Sequence, residues 1–196
     1  VAESPVFIPD SPDMSLRVGG GVHQSMYIAL CSVDGGELAY ARGKNTVLMQ
    51  QVDWHIPDAV GKPVFLRIVD ENSGGWGHIT FDDFSAEGII DKEHTRLRNA
   101  DPDFPAMQRD LCKRLKEFTV SALKNAITDI HKAFPDIYTG EKFLNRLADF
   151  EAVHVKAEAS LLSYDTAELR WADGIIDRFV AFRREVLTAH PLLTAH

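Results

Sequence analysis

Val69-Asp70-Glu71-Asn72-Ser73-Gly74-Gly75-Trp76-Gly77-His78-Ile79-Thr80-Phe81-Asp82-Asp83-Phe84 decides how the first half of this chain is read. The apolar run from Val64 to Val69 enters it, three glycines and an Asn-Ser pair fill its middle, and an alternating run leaves it. Gly and Asn permit the backbone angles of a tight loop, and alternation suits a half-buried strand. The stretch therefore reads as two strands joined by a polar loop that carries one Trp, one His and several carboxylates.

Working outward, further short apolar or alternating runs occupy 15–18, 25–31, 37–42 and 47–54, with the two above at 64–69 and 77–84. Gly19-Gly20-Gly21, Asp34-Gly35-Gly36, Gly43-Lys44-Asn45 and residues 57–62 separate them. Asp-Gly-Gly between two strands is a hairpin signal. Strands spaced this regularly predict an antiparallel β-sandwich of jelly-roll type over 1–91. Only a short polar leader precedes the strand at 15–18.

After Asp91 the period changes. Met107, Leu111, Leu115, Phe118, Ala122, Ala126, Ile130 and Ala133 recur every three or four residues, with Pro105 at the start and Pro135 at the stop. A second helix is predicted over 140–162, with Phe143, Leu147, Phe150, His154, Ala157 and Leu161 on one face. A third is predicted over 166–189, opened by the capping-box-like Asp165-Thr166-Ala167-Glu168. Short connections favour three long antiparallel helices over 105–196. Residues 92–104, charged and proline-containing, read as a linker. The expected class is α+β.

The chain has 196 residues and a net charge of −8, of which −7 falls in residues 1–90. An acidic first half disfavours nucleic acid and suits a neutral or cationic partner, or bound calcium. No run is long and apolar enough to span a membrane. Cys31 and Cys112 form no CxxC and read as buried free thiols in different domains, with an interdomain bridge as the alternative. The polar leader after Val1 and the closing Pro191-Leu192-Leu193-Thr194-Ala195-His196 read as the ends of a piece of a longer chain.

Three chemistries compete for the quoted stretch. Paired carboxylates for glycoside hydrolysis would have to lie across the two strands, as Asp70 with Asp82 or Asp83, since adjacent strand residues point to opposite faces. Asp70, Asn72, Asp82 and Asp83 are candidate ligands for a structural calcium ion, although no EF-hand spacing is present. Trp54 and Trp76 are candidates for stacking on a sugar, with His55 and His78 as hydrogen-bonding neighbours. The bland alternative makes Trp76 a structural plug and the acids solvated turn caps. Gly19-Gly20-Gly21 lacks a phosphate-loop spacing, and His131 and His154 are lone residues on separate helices.

In order, Leu16-Arg17-Val18-Gly19-Gly20-Gly21, Arg42-Gly43-Lys44-Asn45, Val52-Asp53-Trp54-His55-Ile56, Gly61-Lys62-Pro63-Val64 and Ile68 to Ile79 form one set. The set resembles the accessory β-sandwich attached to bacterial levanase and invertase-type family 32 glycoside hydrolases. It is also similar to domains of large secreted planctomycete-type proteins. The resemblance covers about residues 15–88. It implies a jelly-roll module that is carbohydrate-binding-like and non-catalytic, outside the cytoplasm, extracellular or periplasmic. No catalytic residue carries over. The helical half has no counterpart there and reads as a docking element for other domains or subunits. A fragment of a polysaccharide-active enzyme and a purely structural interdomain brace are the alternatives.

Overall fold

Seven strands form among residues 1–194, the part of the chain that the computed structural model describes: β1 (Ala2–Glu3), β2 (Phe7–Gly20), β3 (Met26–Ser32), β4 (Glu37–Ala41), β5 (Thr46–His55), β6 (Val64–Asp70) and β7 (Ile79–Ile90). All pairings are antiparallel, in the order β4-β3-β6-β2-β5, with β1 added to β6 and β7 to β2. Leu16 and Val18 of β2, Ile28 and Leu30 of β3, Trp54 of β5, and Val64 and Leu66 of β6 are buried in one cluster. Strands β2 and β3 are not partners, yet their alternate side chains share this core. The sheet therefore curls around it. Each large aliphatic side chain so buried contributes about 1.5–3 kcal/mol.

The Asp-Gly-Gly hairpin joins β3 to β4, with Gly35 at φ +86° and the Ser32 N–H donating to the Gly36 carbonyl at 2.9 Å. The expected β6–β7 pair does not form. Strand β6 pairs with β3 and β1, touching β2 only at Phe7–Val64, and β7 pairs with β2. The Gly-rich loop is thus a crossover between two parts of the sheet and not a hairpin turn. The polar leader is strand as well: Phe7, Pro9 and Met14 are buried, and Pro9 and Pro12 are accommodated because the β2–β7 register shifts between Pro9 and Met14. Strand β7 runs on to Ile90 through a second irregularity, where Asp83 adopts φ +51°.

The chain divides into two compact units, Val1–Pro102 and a second that begins at Asp103. Residues 92–104, expected as a linker, carry helix α1 (Lys92–Asn99), whose N-cap Asp91 accepts from the His94 N–H at 3.0 Å. Arg98 anchors this helix to the sheet. It donates to Glu3 at 2.8 Å and to the Val33 carbonyl at 3.1 Å, and its guanidinium lies 3.9 Å from the Phe65 ring centroid. Arg67 donates to the same Glu3 at 3.0 Å. Nearby, burial pushes the Cys31 thiol up to about 12, so it is an inert core group. Burial first, and then its hydrogen bond to Glu37, raises Tyr27 to about 12.

The second unit holds α2 (Phe104–Leu115), α3 (Val120–Ala133), α4 (Gly140–Ala159) and α5 (Thr166–Thr188). Helix α3 packs on α4, and α5 packs on α2 and α4. Phe104, Leu111, Ile127, Leu147, Leu169, Ile176 and Phe179 lie in its core. The first predicted helix is broken between α2 and α3. Phe118 turns inward onto Phe179, with ring centroids 4.5 Å apart, and Arg183 takes the Glu117 carbonyl at 3.2 Å, so the chain cannot continue as one helix. His131 and His154 both have packing roles, His131 against Gly140 and His154 edge-on to Phe118 at 4.8 Å. No helix among the described residues is long and apolar enough to cross a membrane.

Candidate functional site

The glycine-rich elements that stand far apart in sequence meet at the end of β2. A Cβ on Gly20, at φ +94°, would lie 2.3 Å from the His78 carbonyl oxygen, and one on Gly21 would lie 2.2 Å from that of Trp76. The Gly21 N–H donates to the His78 carbonyl at 2.9 Å, and the Val22 N–H donates to Asn45 Oδ1 at 3.1 Å. A Cβ on Gly43 would strike the Gly20 carbonyl oxygen at 2.3 Å. These glycines serve close backbone approach at one end of the sheet. Trp76 sits above them at φ +57°, 44% exposed, its ring tilted over His78 with centroids 5.9 Å apart.

The acids of the same stretch do not converge. Asp70 ends β6 opposite Met26, while Asp82 and Asp83 lie on β7 beside Arg17 of β2. Asp83 is 3.4 Å from Arg17 Nε, Asp82 accepts from the Asp83 N–H at 2.8 Å, and Asn72 accepts from the Gly74 N–H at 3.0 Å. An acid pair across a β6–β7 hairpin is ruled out because those strands are not neighbours. Among the described residues, no three His, Cys, Asp or Glu side chains are grouped as a metal ion would require. The expected calcium ligands are therefore not an assembled set.

Trp54 and His55 are separated by strand geometry. Successive residues face opposite ways. Trp54 is 8% exposed and packs in the core, whereas His55 points outward and bonds Asp13 at 2.6 Å through Nδ1. Asp13 to Gly20 spans seven residues of β2, about 23 Å at the strand rise. His55 and the Trp76–His78 pair accordingly belong to opposite ends of that strand and form no joint site.

Around His55 the outer face of β5, β2 and β7 opens into a cleft of about 510 Å³. Its polar lining is Ser11, Asp13, Ser15, Asp53, His55, Ser85 and Glu87, over Met14, Trp54 and Ala86. Ser15 stands directly opposite Asp53 on one side and Ser85 on the other, making one row across three strands. Gln51 donates to Asp53 at 3.0 Å and extends the polar face toward Arg17. Apart from Trp54 and His55, these residues are not among the candidates read from the sequence. Their signal is the every-second-residue polarity of Asp13-Ser15-Arg17, Gln51-Asp53-His55 and Asp83-Ser85-Glu87, legible only once the three strands are known to be neighbours.

Compared with known proteins, the chain matches no protein-family model, no curated protein and no solved structure.

Proposed function

We propose that this chain is a non-catalytic, carbohydrate-binding-like module of a larger secreted protein, and that the cleft on β5, β2 and β7 is its glycan surface. One observation carries the reading: three neighbouring strands present hydroxyls and carboxylates together along an open cleft of about 510 Å³. Such groups hydrogen-bond sugar hydroxyls, and an open face admits an extended chain. The two parts of the sheet, joined directly at Phe7–Val64 around a shared core, are read as the halves of a jelly-roll sandwich. The helical unit is read as the docking element toward other domains or subunits.

The test is electrophoresis of the whole chain through gels that hold a panel of polysaccharides. Retardation by at least one glycan, lost in Asp53→Ala and Glu87→Ala and kept in Trp76→Ala, is the expected result. Unretarded migration on every glycan overturns the reading and leaves a structural brace in its place. The Asp13–His55 carboxylate–imidazole pair favours a second reading, a hydrolytic site. Glycan cleavage that disappears in His55→Ala would replace binding by catalysis.

A further inference from the structure

We infer that the outer edge of β7 over residues 84–90, with the apolar cavity beside it, takes an added β-strand from a partner protein. That strand carries apolar side chains at alternate positions and a lysine or arginine facing Glu87. The surface would serve an assembly whether or not the cleft holds a glycan. Strand β7 pairs with β2 along one edge, and among the described residues no strand pairs with the other. An unpaired edge is a row of N–H and C=O groups that a further strand can satisfy. The sheet's other edges are less open. Strand β1 has two residues and β4 five, while β5 is interrupted where its pairing with β2 shifts between Val18 and Gly20. There the Leu48 N–H is already taken by Thr46 Oγ1 at 3.2 Å. The first part of β7 is guarded by Asp82, Asp83 and the left-handed kink at Asp83. Beyond it, residues 84–90 carry a single charge, that of Glu87.

The cavity is an independent observation at the same place. Directly opposed residues of neighbouring strands share a face. Ile90 stands opposite Phe7 and Ala86 opposite Met14, both core residues, so this row of β7 faces inward. Ile90 is nevertheless 57% exposed, because the core lacks a cover on this side. The opening is a cavity of about 290 Å³ whose walls include Phe7, Leu66, Phe84, Ala86 and Ile90, with no charged side chain in its lining. Every second side chain of an added strand points to one face, so its apolar set would enter the cavity while its backbone pairs with the edge. The edge asks for an extended backbone and the cavity for apolar side chains, and one alternating strand supplies both. Charge then selects the strand. Strand β7 holds Asp82, Asp83 and Glu87 and no basic residue, so two copies of β7 would set like charges together. A lysine or arginine opposite Glu87 forms a favourable cross-strand pair instead.

Fluorescence anisotropy with a labelled nine-residue peptide tests this. The peptide is blocked at both ends, with threonine and valine alternating and lysine at the fifth position in the threonine row. The whole chain should bind it, and hydrogen exchange should slow at the amides of residues 84–90 and not on β4 or β5. Ile90→Lys, at an exposed position and with unchanged circular dichroism, should weaken binding about tenfold by closing the cavity to apolar side chains. A peptide with glutamate at the fifth position should bind about threefold more weakly, and Glu87→Lys should reverse that order.

No binding of the peptide, binding that slows exchange elsewhere, or unchanged affinity in Ile90→Lys would each overturn the inference. Protection of residues 84–90 that rises with the concentration of the chain alone, with a dimer in sedimentation, would give the edge to a second copy. Binding of 1-octanol in the cavity without any binding of the peptide would make it a pocket for a small apolar molecule. Either of these last results also removes the partner strand.

Discussion

Replacing Glu3 by Gln keeps the shape of the side chain and removes one negative charge from between two buried guanidinium groups. The side chains of Arg67 and Arg98 are only 3% and 4% exposed, and Glu3 is 16% exposed. Breaking a buried pair by deleting one partner costs about 3–5 kcal/mol, because the remaining charge is left uncompensated. Glu37 stays 3.7 Å from Arg67 and offsets part of this, so the lower end, about 3 kcal/mol, is expected. With a urea m-value of roughly 2 kcal/mol/M, the midpoint should fall by about 1.5 M. Trp54 and Trp76 belong to the first unit, so fluorescence in a Trp171→Phe background follows that unit alone. Acid titration adds a second readout. Burial by itself would raise the Glu3 carboxyl, but the hydrogen bonds and charges of Arg98 and Arg67 outweigh it and hold the group below the usual carboxylate range. A lowered folded value means that the stabilisation is present above the unfolded titration and is lost as pH falls through the folded one. Wild type should therefore lose more stability than Glu3→Gln across that acid range. A midpoint shift below about 0.5 M, or parallel acid profiles, would refute the assignment of α1 docking to this ion network.

Three further outcomes follow from the same packing. A fragment covering residues 1–102 should melt cooperatively by circular dichroism, whereas 1–91, which lacks α1 and Arg98, should melt at least about 10 °C lower, since a loss of 2–3 kcal/mol moves a domain of this size that far. Gly20→Ala should destabilise by well over 1 kcal/mol in urea titration, because φ is +94° and the new Cβ meets the His78 carbonyl, while Gly61→Ala at φ +71° meets no neighbour and should cost only about 1 kcal/mol. Trp54→Ala should cost about 3–5 kcal/mol as a core truncation, and Trp76→Ala should stay within about 0.5 kcal/mol by the same assay.

Much of this architecture is written in local pattern. The strands at β3, β4, β5 and β6 lie within a residue or two of their expected ends, because alternation and Gly-rich punctuation are local signals. The same holds for α5, where the 3.6-residue stripe is long and Asp165 caps the helix by accepting from the Ala167 N–H at 2.7 Å, while α4 begins at its expected Gly140 and gives way at Ala159 to a 3-10 turn over Ser160–Leu162. The break at Phe118 was not legible, since that residue keeps the helical phase and packs inward on Phe150 and His154 of α4 and Phe179 of α5, residues distant in the chain. Strand β2 was missed before residue 15 because Pro9 and Pro12 argue against a strand, and only the register shift against β7 makes room for them.

The candidate site divides along the same line. Local pattern is enough to show that the first half is β, acidic and punctuated by glycines, and that the second half is helical, since each property depends on residues near one another in the chain. Tertiary structure alone decided that β6 and β7 are not partners, which disperses Asp70, Asp82 and Asp83. It alone placed Trp54 inside and His55 outside, and brought Asp13, Asp53 and Glu87 onto one open face. Strand pairing is a contact between distant segments, so its outcome depends on which apolar faces can be buried together, and no local window of sequence contains that information.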